Sequence, residues 1–119
     1  MPQGPGVIVD ANNVLISSTN PASPGQVVVI YATGLGPVNQ TIALGAPAPG
    51  NPPATVTTPV QVTVGGLNAT VQFAGLTPGL VGLYQVNAVV PAGVTSGSAV
   101  PVVIVQNGVS SNIAPMAVK

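Results

Sequence analysis

Side chains able to carry acid–base, nucleophilic or metal chemistry are almost missing from this chain. Asp10 and Lys119 are the only formally charged side chains among 119 residues, and there is no His and no Cys. General acid–base catalysis needs groups that titrate near working pH, usually His or paired carboxylates, and a two-carboxylate hydrolytic site has no second member here. A Ser–His–Asp triad lacks its His, a thiol nucleophile lacks its Cys, and an amine at the terminal position reads as solvated rather than activated. Zinc asks for His or Cys, and calcium for several oxygens with more than one carboxylate. The residue types therefore predict a protein that is not an enzyme and that holds no metal or cofactor. Gly34-Leu35-Gly36 has neither the following helix nor the basic residue of a phosphate loop and reads as a turn. A Lys–Asn isopeptide crosslink needs a buried Lys beside an acid, and Lys119 with Asp10 is a poor match.

What is left is neutral polar chemistry. The three aromatics are Tyr31, Phe73 and Tyr84. A sugar-binding platform needs two or three exposed rings in a plane, whereas each of these sits in a strand pattern where core packing is the expectation. Gln85 and Asn87 share one face of their segment, so Tyr31, Tyr84, Gln85 and Asn87 are the candidate glycan contacts, with the loops 34–59 and 75–82 beside them. Asn39-Gln-Thr41 and Asn68-Ala-Thr70 match the glycosylation sequon. In a chain this rich in Asn and Thr they read as chance. Asp10 would meet Lys119 if the first and last strands were neighbours, but an exposed pair is worth under about 1 kcal/mol.

The elements that must position these residues have a hydrophobic period of two. In Val60-Gln-Val-Thr-Val64 the valines share one face, and in Leu67–Phe73 the apolar set is Leu67, Ala69, Val71 and Phe73. Gly65-Gly66 between them supplies the positive φ angles of a tight hairpin. A second hairpin is predicted from Val100–Gln106, the turn Asn107-Gly108 and a run from Val109 to Val118, with Pro101 and Pro115 confined to ends, edges or bulges. Leu83–Val90 alternates Tyr84, Val86, Ala88 and Val90 against a more polar face. Gln26–Thr33 reads as a central strand. Residues 7–17 read as a first strand interrupted at Asn12-Asn13 by a bulge or a switch between sheets. The five prolines of residues 45–59 predict an exposed loop with polyproline character.

No helix of useful length is predicted. Length allows one domain, placed at 7–119 after a flexible segment 1–6, and seven or eight short antiparallel strands imply an all-β, immunoglobulin-like β-sandwich. Hydrophobic residues make up 46% of the chain but charged residues only 2%. Disorder usually pairs low hydrophobicity with high charge, so this chain should fold. Without a basic patch it has nothing to neutralise phosphates, so no nucleic-acid partner is expected. No apolar run approaches a membrane span of roughly 18 residues, so no membrane insertion is expected. MPQGPGVIVDANNV has neither the basic nor the long apolar region of a secretory signal, so an exported chain would be read here in mature or excised form.

Pro24-Gly-Gln-Val-Val-Val-Ile-Tyr-Ala-Thr-Gly-Leu-Gly36, Val60–Val71, Gly82-Leu-Tyr-Gln-Val-Asn87, Val90-Pro-Ala-Gly-Val94 and Asn107-Gly-Val-Ser-Ser-Asn112 resemble an uncharacterised C-terminal domain of large secreted acidobacterial proteins. They are also similar to the wider IPT/TIG class of immunoglobulin-like domains. The resemblance covers nearly the whole chain from about Val7. It implies an Ig-like sandwich exported from a bacterium, in a family with no established catalytic residues to carry over.

Neutrality bears on function. Net charge near zero removes the repulsion that keeps domains apart, and apolar edge strands without Lys gatekeepers leave pairing sites open. The expectation is an extracellular, cell-surface structural or adhesive module that forms a homo-oligomer or homopolymer. Strand addition would run through residues 7–18, with Val7, Ile8, Val9, Val14, Leu15 and Ile16 as its apolar contacts. The plainer alternative is that this segment packs as an ordinary first strand of a monomer. A second reading is a carbohydrate-binding module of a larger secreted protein.

Overall fold

The computed structural model describes residues 7–43, 45–110 and 114–119. The segment 1–6, expected to be flexible, and the middle of the expected last strand lie outside the described residues. These contain eight strands and no helix: β1 (Val7–Asp10), β2 (Val27–Ala32), β3 (Val60–Val64), β4 (Leu67–Leu76), β5 (Tyr84–Val89), β6 (Gly97–Gln106), β7 (Val109–Ser110) and β8 (Ala114–Val118). The protein is all-β. Every strand pair is antiparallel, in the order β1-β2-β5-β4-β3-β6, and β7 and β8 both pair with β6.

The sheet curls into a half-barrel because β4 serves both of its halves. Residues 67–69 of β4 pair with β3, while residues 70–76 pair with β5 on the opposite side. Alternating apolar residues from the two halves then face each other. Val28 and Ile30 of β2 and Val86 and Ala88 of β5 join Val62 and Val64 of β3, Val102 and Ile104 of β6 and Met116 of β8 in one buried cluster. Burying each such side chain is worth about 1.5–3 kcal/mol. The two predicted hairpin turns are present, with Gly65 at φ 59°, Gly66 at 83°, Asn107 at 53° and Gly108 at 76°. These are the left-handed angles a two-residue turn requires.

Four local readings are corrected by the fold. Asn12-Asn13 is neither a bulge nor a sheet switch. Asn13, at φ 65°, closes a turn after which residues 14–16 run back along β1, with the Asp10 N–H donating to the Val14 carbonyl at 2.8 Å and the Ile16 N–H to Ile8 at 3.0 Å. The segment 7–17 is thus a hairpin rather than one broken strand. Its far end crosses to the other end of the ladder, where Ala22 pairs in parallel with Val118. Segment 15–22 therefore spans the two outer strands of the curled sheet.

Second, Pro101 lies inside β6, whereas Pro115, directly opposite it, sits near the start of the outer strand β8, as expected. Neither nitrogen faces the shared ladder. The Pro101 carbonyl accepts from the Gly65 N–H on the β3 side, and Ala117 and Lys119, in phase with Pro115, bond outward to Ala22. The ladder between β6 and β8 therefore loses no bond, so proline is tolerated there.

Third, the register of β4 shifts between Val71 and Phe73, leaving Gln72 as an extra residue. Ala69 and Val71 pack on the core, but beyond the bulge Ala74 and Leu76 take over the inward positions. Phe73 is turned outward.

Fourth, the proline-rich loop is docked. Ala48 and Ala54 are buried with Leu76 in a second small cluster, against which Val38, Ile42 and Tyr84 pack. The Leu76 N–H donates to the Ala54 carbonyl at 3.0 Å and the Val56 N–H to Ala74 at 3.0 Å, so residues 54–56 pair with the stretch of β4 that β3 leaves free.

Two stability predictions follow from these contacts. A Cβ at Gly75 would run into the Ala54 carbonyl oxygen and lie 2.9 Å from Phe73 Cζ. Gly75→Ala should therefore lower the unfolding free energy by about 1–3 kcal/mol in urea titrations. The Thr77 hydroxyl is buried without a hydrogen-bond partner among the described residues. Thr77→Val, which keeps the shape and removes the orphan, should be neutral or stabilise by about 1 kcal/mol in the same titration.

Candidate functional site

Two places collect the sequence-derived candidates: the first hairpin, and the outer face of the β1/β2/β5/β4 half. Directly paired residues of an antiparallel sheet share a face. Starting from Tyr31, which pairs with Val7 and Gln85, that outer face carries Gln85 beside Gly75, and Val29 and Phe73 on either side of Asn87. Tyr31, Gln85 and Asn87 are therefore brought together as half-buried groups. The Gln85 Nε2 donates to Asn87 Oδ1 at 3.0 Å. The Tyr31 hydroxyl reaches Asn13 Oδ1 only at 3.4 Å, which is long for an O–H donor.

Tyr84 does not join them. It pairs with Ala32 and Leu76, packs against both apolar clusters, and its hydroxyl donates to the Gly36 carbonyl at 2.6 Å. The neighbouring Leu35 is fully buried, and its carbonyl accepts from Gln106 Nε2 at 2.7 Å. Tyr84 and Gln106 thus fix the Gly34–Gly36 turn as a plug at one end of the core. Tyr84 keeps the inward phase that the alternation gave it, and Phe73 stands where Tyr84 was expected among the glycan contacts. The apolar phase of Phe73 pointed to the core, and only the bulge at Gln72 turns it outward. No single-sequence pattern marks that bulge.

On the first hairpin the structure separates the six apolar candidates. Ile8, Val9 and Ile16 are buried, whereas Val7, Val14 and Leu15 are 46%, 51% and 57% exposed. The hairpin is tied by the only acidic side chain in the chain. Asp10 Oδ1 accepts from the Asn12 N–H at 2.8 Å and the Val14 N–H at 3.0 Å, and Oδ2 accepts from Asn20 Nδ2 at 3.2 Å. Asn20 Nδ2 also donates to the Leu15 carbonyl at 3.1 Å. Asp10 makes no ion pair with Lys119. These donors, the Val14 amide foremost, then Asn20 and Asn12, hold the carboxyl below its ordinary value of 3.8.

Among the described residues no group of three His, Cys, Asp or Glu side chains gathers in one place. The polar chemistry on offer is that of amides and hydroxyls. Comparison with protein families, with curated proteins and with solved structures finds no match for this chain.

The Asp10 network sets a pH dependence. A carboxyl whose pKa is depressed by folding contributes stability that is complete above its unfolded value and disappears as pH falls through the folded value. Amide exchange at Asn12 and Val14, corrected for the intrinsic pH dependence of exchange, should show protection at neutral pH that falls below about pH 4. Asp10→Asn should show the weaker protection at every pH. Protection that is unchanged on acidification would mean that the carboxylate does not hold the turn.

Proposed function

We propose that this protein is a non-catalytic structural module of the cell exterior that associates with copies of itself, built as an immunoglobulin-like sandwich akin to the IPT/TIG-like C-terminal domains of secreted acidobacterial proteins. Three features support the Ig-like reading: antiparallel strands only, two sheet halves facing across one core, and a strand that contributes to both. The observation that carries the self-association reading is the first hairpin. It exposes Val7, Val14 and Leu15 on a surface with almost no charge to oppose contact.

The same hairpin suggests the route. Residues 7–17 form the outer end of the ladder and are tied to the body by pairing with β2, by Ile8 and Ile16 in the core and by the connection to Ala22. A hairpin exchanged with a neighbour would insert Ile8 and Ile16 into that neighbour's core and recreate every contact it leaves. The exchange is then nearly neutral in contact energy. A head-to-tail exchange does not close on itself and grows into a filament. With so few charges the contact would be almost insensitive to ionic strength.

The test uses light scattering and negative-stain microscopy at roughly 0.1 M and 1 M salt, between which the screening length falls from about 10 to about 3 Å. Fibres or large oligomers are expected in both. Val9 and Val29 are directly opposed on β1 and β2. Opposed Cα atoms lie at about 5.5 Å or less, within disulfide reach. Because the chain has no cysteine of its own, the oxidised double variant Val9→Cys/Val29→Cys should remain monomeric and regain assembly on reduction. A monomer at high concentration in both salts would overturn self-association, and assembly undiminished in the oxidised variant would overturn hairpin exchange.

A further inference from the structure

The outward turn of Phe73 makes a groove over β5 and β4, on the outer face of the same half of the sheet that carries the first hairpin, with β2 between them. The groove has a volume of about 270 Å³ and is lined by Gly50, Pro53, Phe73, Pro78, Gln85 and Asn87. It joins an aromatic ring, two prolines and two side-chain amides with no charged group among them. Two other grooves of similar size, one beside the Asn107-Gly108 turn and one over β3 and β4, contain no ring. From this arrangement we infer that the groove is a binding site for one sugar ring of an uncharged glycan, with Phe73 as the apolar platform and Gln85 and Asn87 as the polar contacts.

Three features point to that class of ligand. First, the mutual bond between Gln85 and Asn87 uses one NH₂ hydrogen and one carbonyl lone pair. Whichever amide donates, one oxygen and one NH₂ group remain free side by side. A sugar hydroxyl both donates and accepts and can satisfy either, or two adjacent hydroxyls can satisfy both. Second, the C–H face of a pyranose is apolar and packs on an aromatic ring, while the absence of a countercharge would leave an ionic ligand desolvated without compensation. Third, a peptide in the same place would find no backbone partners. β4 and β5 are paired with each other there, and residues 54–56 cover the other side of β4. The volume lies near the small end for ligand sites, about 300 Å³, and suits a single ring rather than a chain buried along its length.

The placement of the ring is itself built. A side chain at position 75 would crowd Phe73 Cζ and collide with the Ala54 carbonyl. Glycine there lets the ring lie along β4 beside the two amides, while the docked loop brings Gly50 and Pro53 to form one wall. Tyr31, across from Gln85 on the same face, extends the surface by one position.

The experiment is a titration of the isotope-labelled full chain with maltohexaose, cellohexaose and chitohexaose, followed by amide NMR. At least one should bind with a dissociation constant of about 1 mM or tighter, shifting the Gln85 and Asn87 side-chain NH₂ signals. Phe73→Ala should weaken binding roughly tenfold. Asn87→Ala provides an independent variant on the exposed face, and both are checked for a native-like spectrum. Binding should persist in the Val9→Cys/Val29→Cys monomer, so this result stands or falls separately from self-association. If none of the three sugars moves those side-chain signals, or if binding in well-folded Phe73→Ala and Asn87→Ala is as tight as in the parent chain, the inference is wrong.

Discussion

The structure depends on β4 being held by different partners along its length. Its first residues complete a ladder with β3, its later ones a ladder with β5, and the extra residue Gln72 lies within the second. A bulge adds twist and reverses the phase of the side chains that follow. One sheet can therefore fold over its own apolar face and enclose a single core, with the β4–β5 ladder interrupted only at the bulge. The same phase change moves Phe73 from the inside to the outside. Curvature and surface chemistry have one cause here, and a flat β4 would provide neither.

The ends of the ladder are managed without charge. Soluble sheet proteins commonly protect their edges with lysine or with inward-pointing charges. Here the chain uses its own backbone. Residues 14–16 cover β1, Ala22 covers β8, and residues 54–56 cover the exposed part of β4. The only acidic side chain is spent on the first of these covers, where Asp10 accepts two amide hydrogens of the turn and one from Asn20. A carboxylate is well suited to this, since it accepts several hydrogen bonds at once and donates none. Removing charge from the remainder of the surface leaves hydroxyls, amides and small apolar groups, a chemistry that favours contact with neutral matter over steering by fields.

Much of this was legible in the residues. The alternation in Val60–Val64 and the Gly65-Gly66 and Asn107-Gly108 turns located two hairpins, because local backbone preference and period-two burial agree there. The polar phase of Gln85 and Asn87 was legible for the same reason. The inward phase of Tyr84 was legible too, but the partner of its hydroxyl and the outward turn of Phe73 were not. Tyr84 sits in the buried phase of β5, and its hydroxyl finds a carbonyl 48 positions away in sequence. Phe73 sits in the apparent buried phase of β4, and an inserted residue one position earlier reverses it. The reading of residues 45–59 as an exposed loop was incomplete in a similar way. Proline content limits local helix and ladder formation but does not say whether a loop will dock, and Ala48 and Ala54 find a place beside Leu76.

By itself the sequence determined the all-β class, the turns and the neutrality of the surface. It also limited the polar chemistry to amides, hydroxyls and one carboxylate. These are properties of residue type and short-range spacing, where steric limits on φ and ψ and the two-residue repeat of a strand act directly. Tertiary structure alone decided that β4 would serve both halves, that Asn12-Asn13 would reverse the chain, and that Phe73 would stand beside Gln85 and Asn87. Those outcomes turn on register, and register is set by the sum of contacts across strands distant in sequence. A shift of one residue changes the face of every side chain beyond it while leaving the local pattern of residue types unaltered.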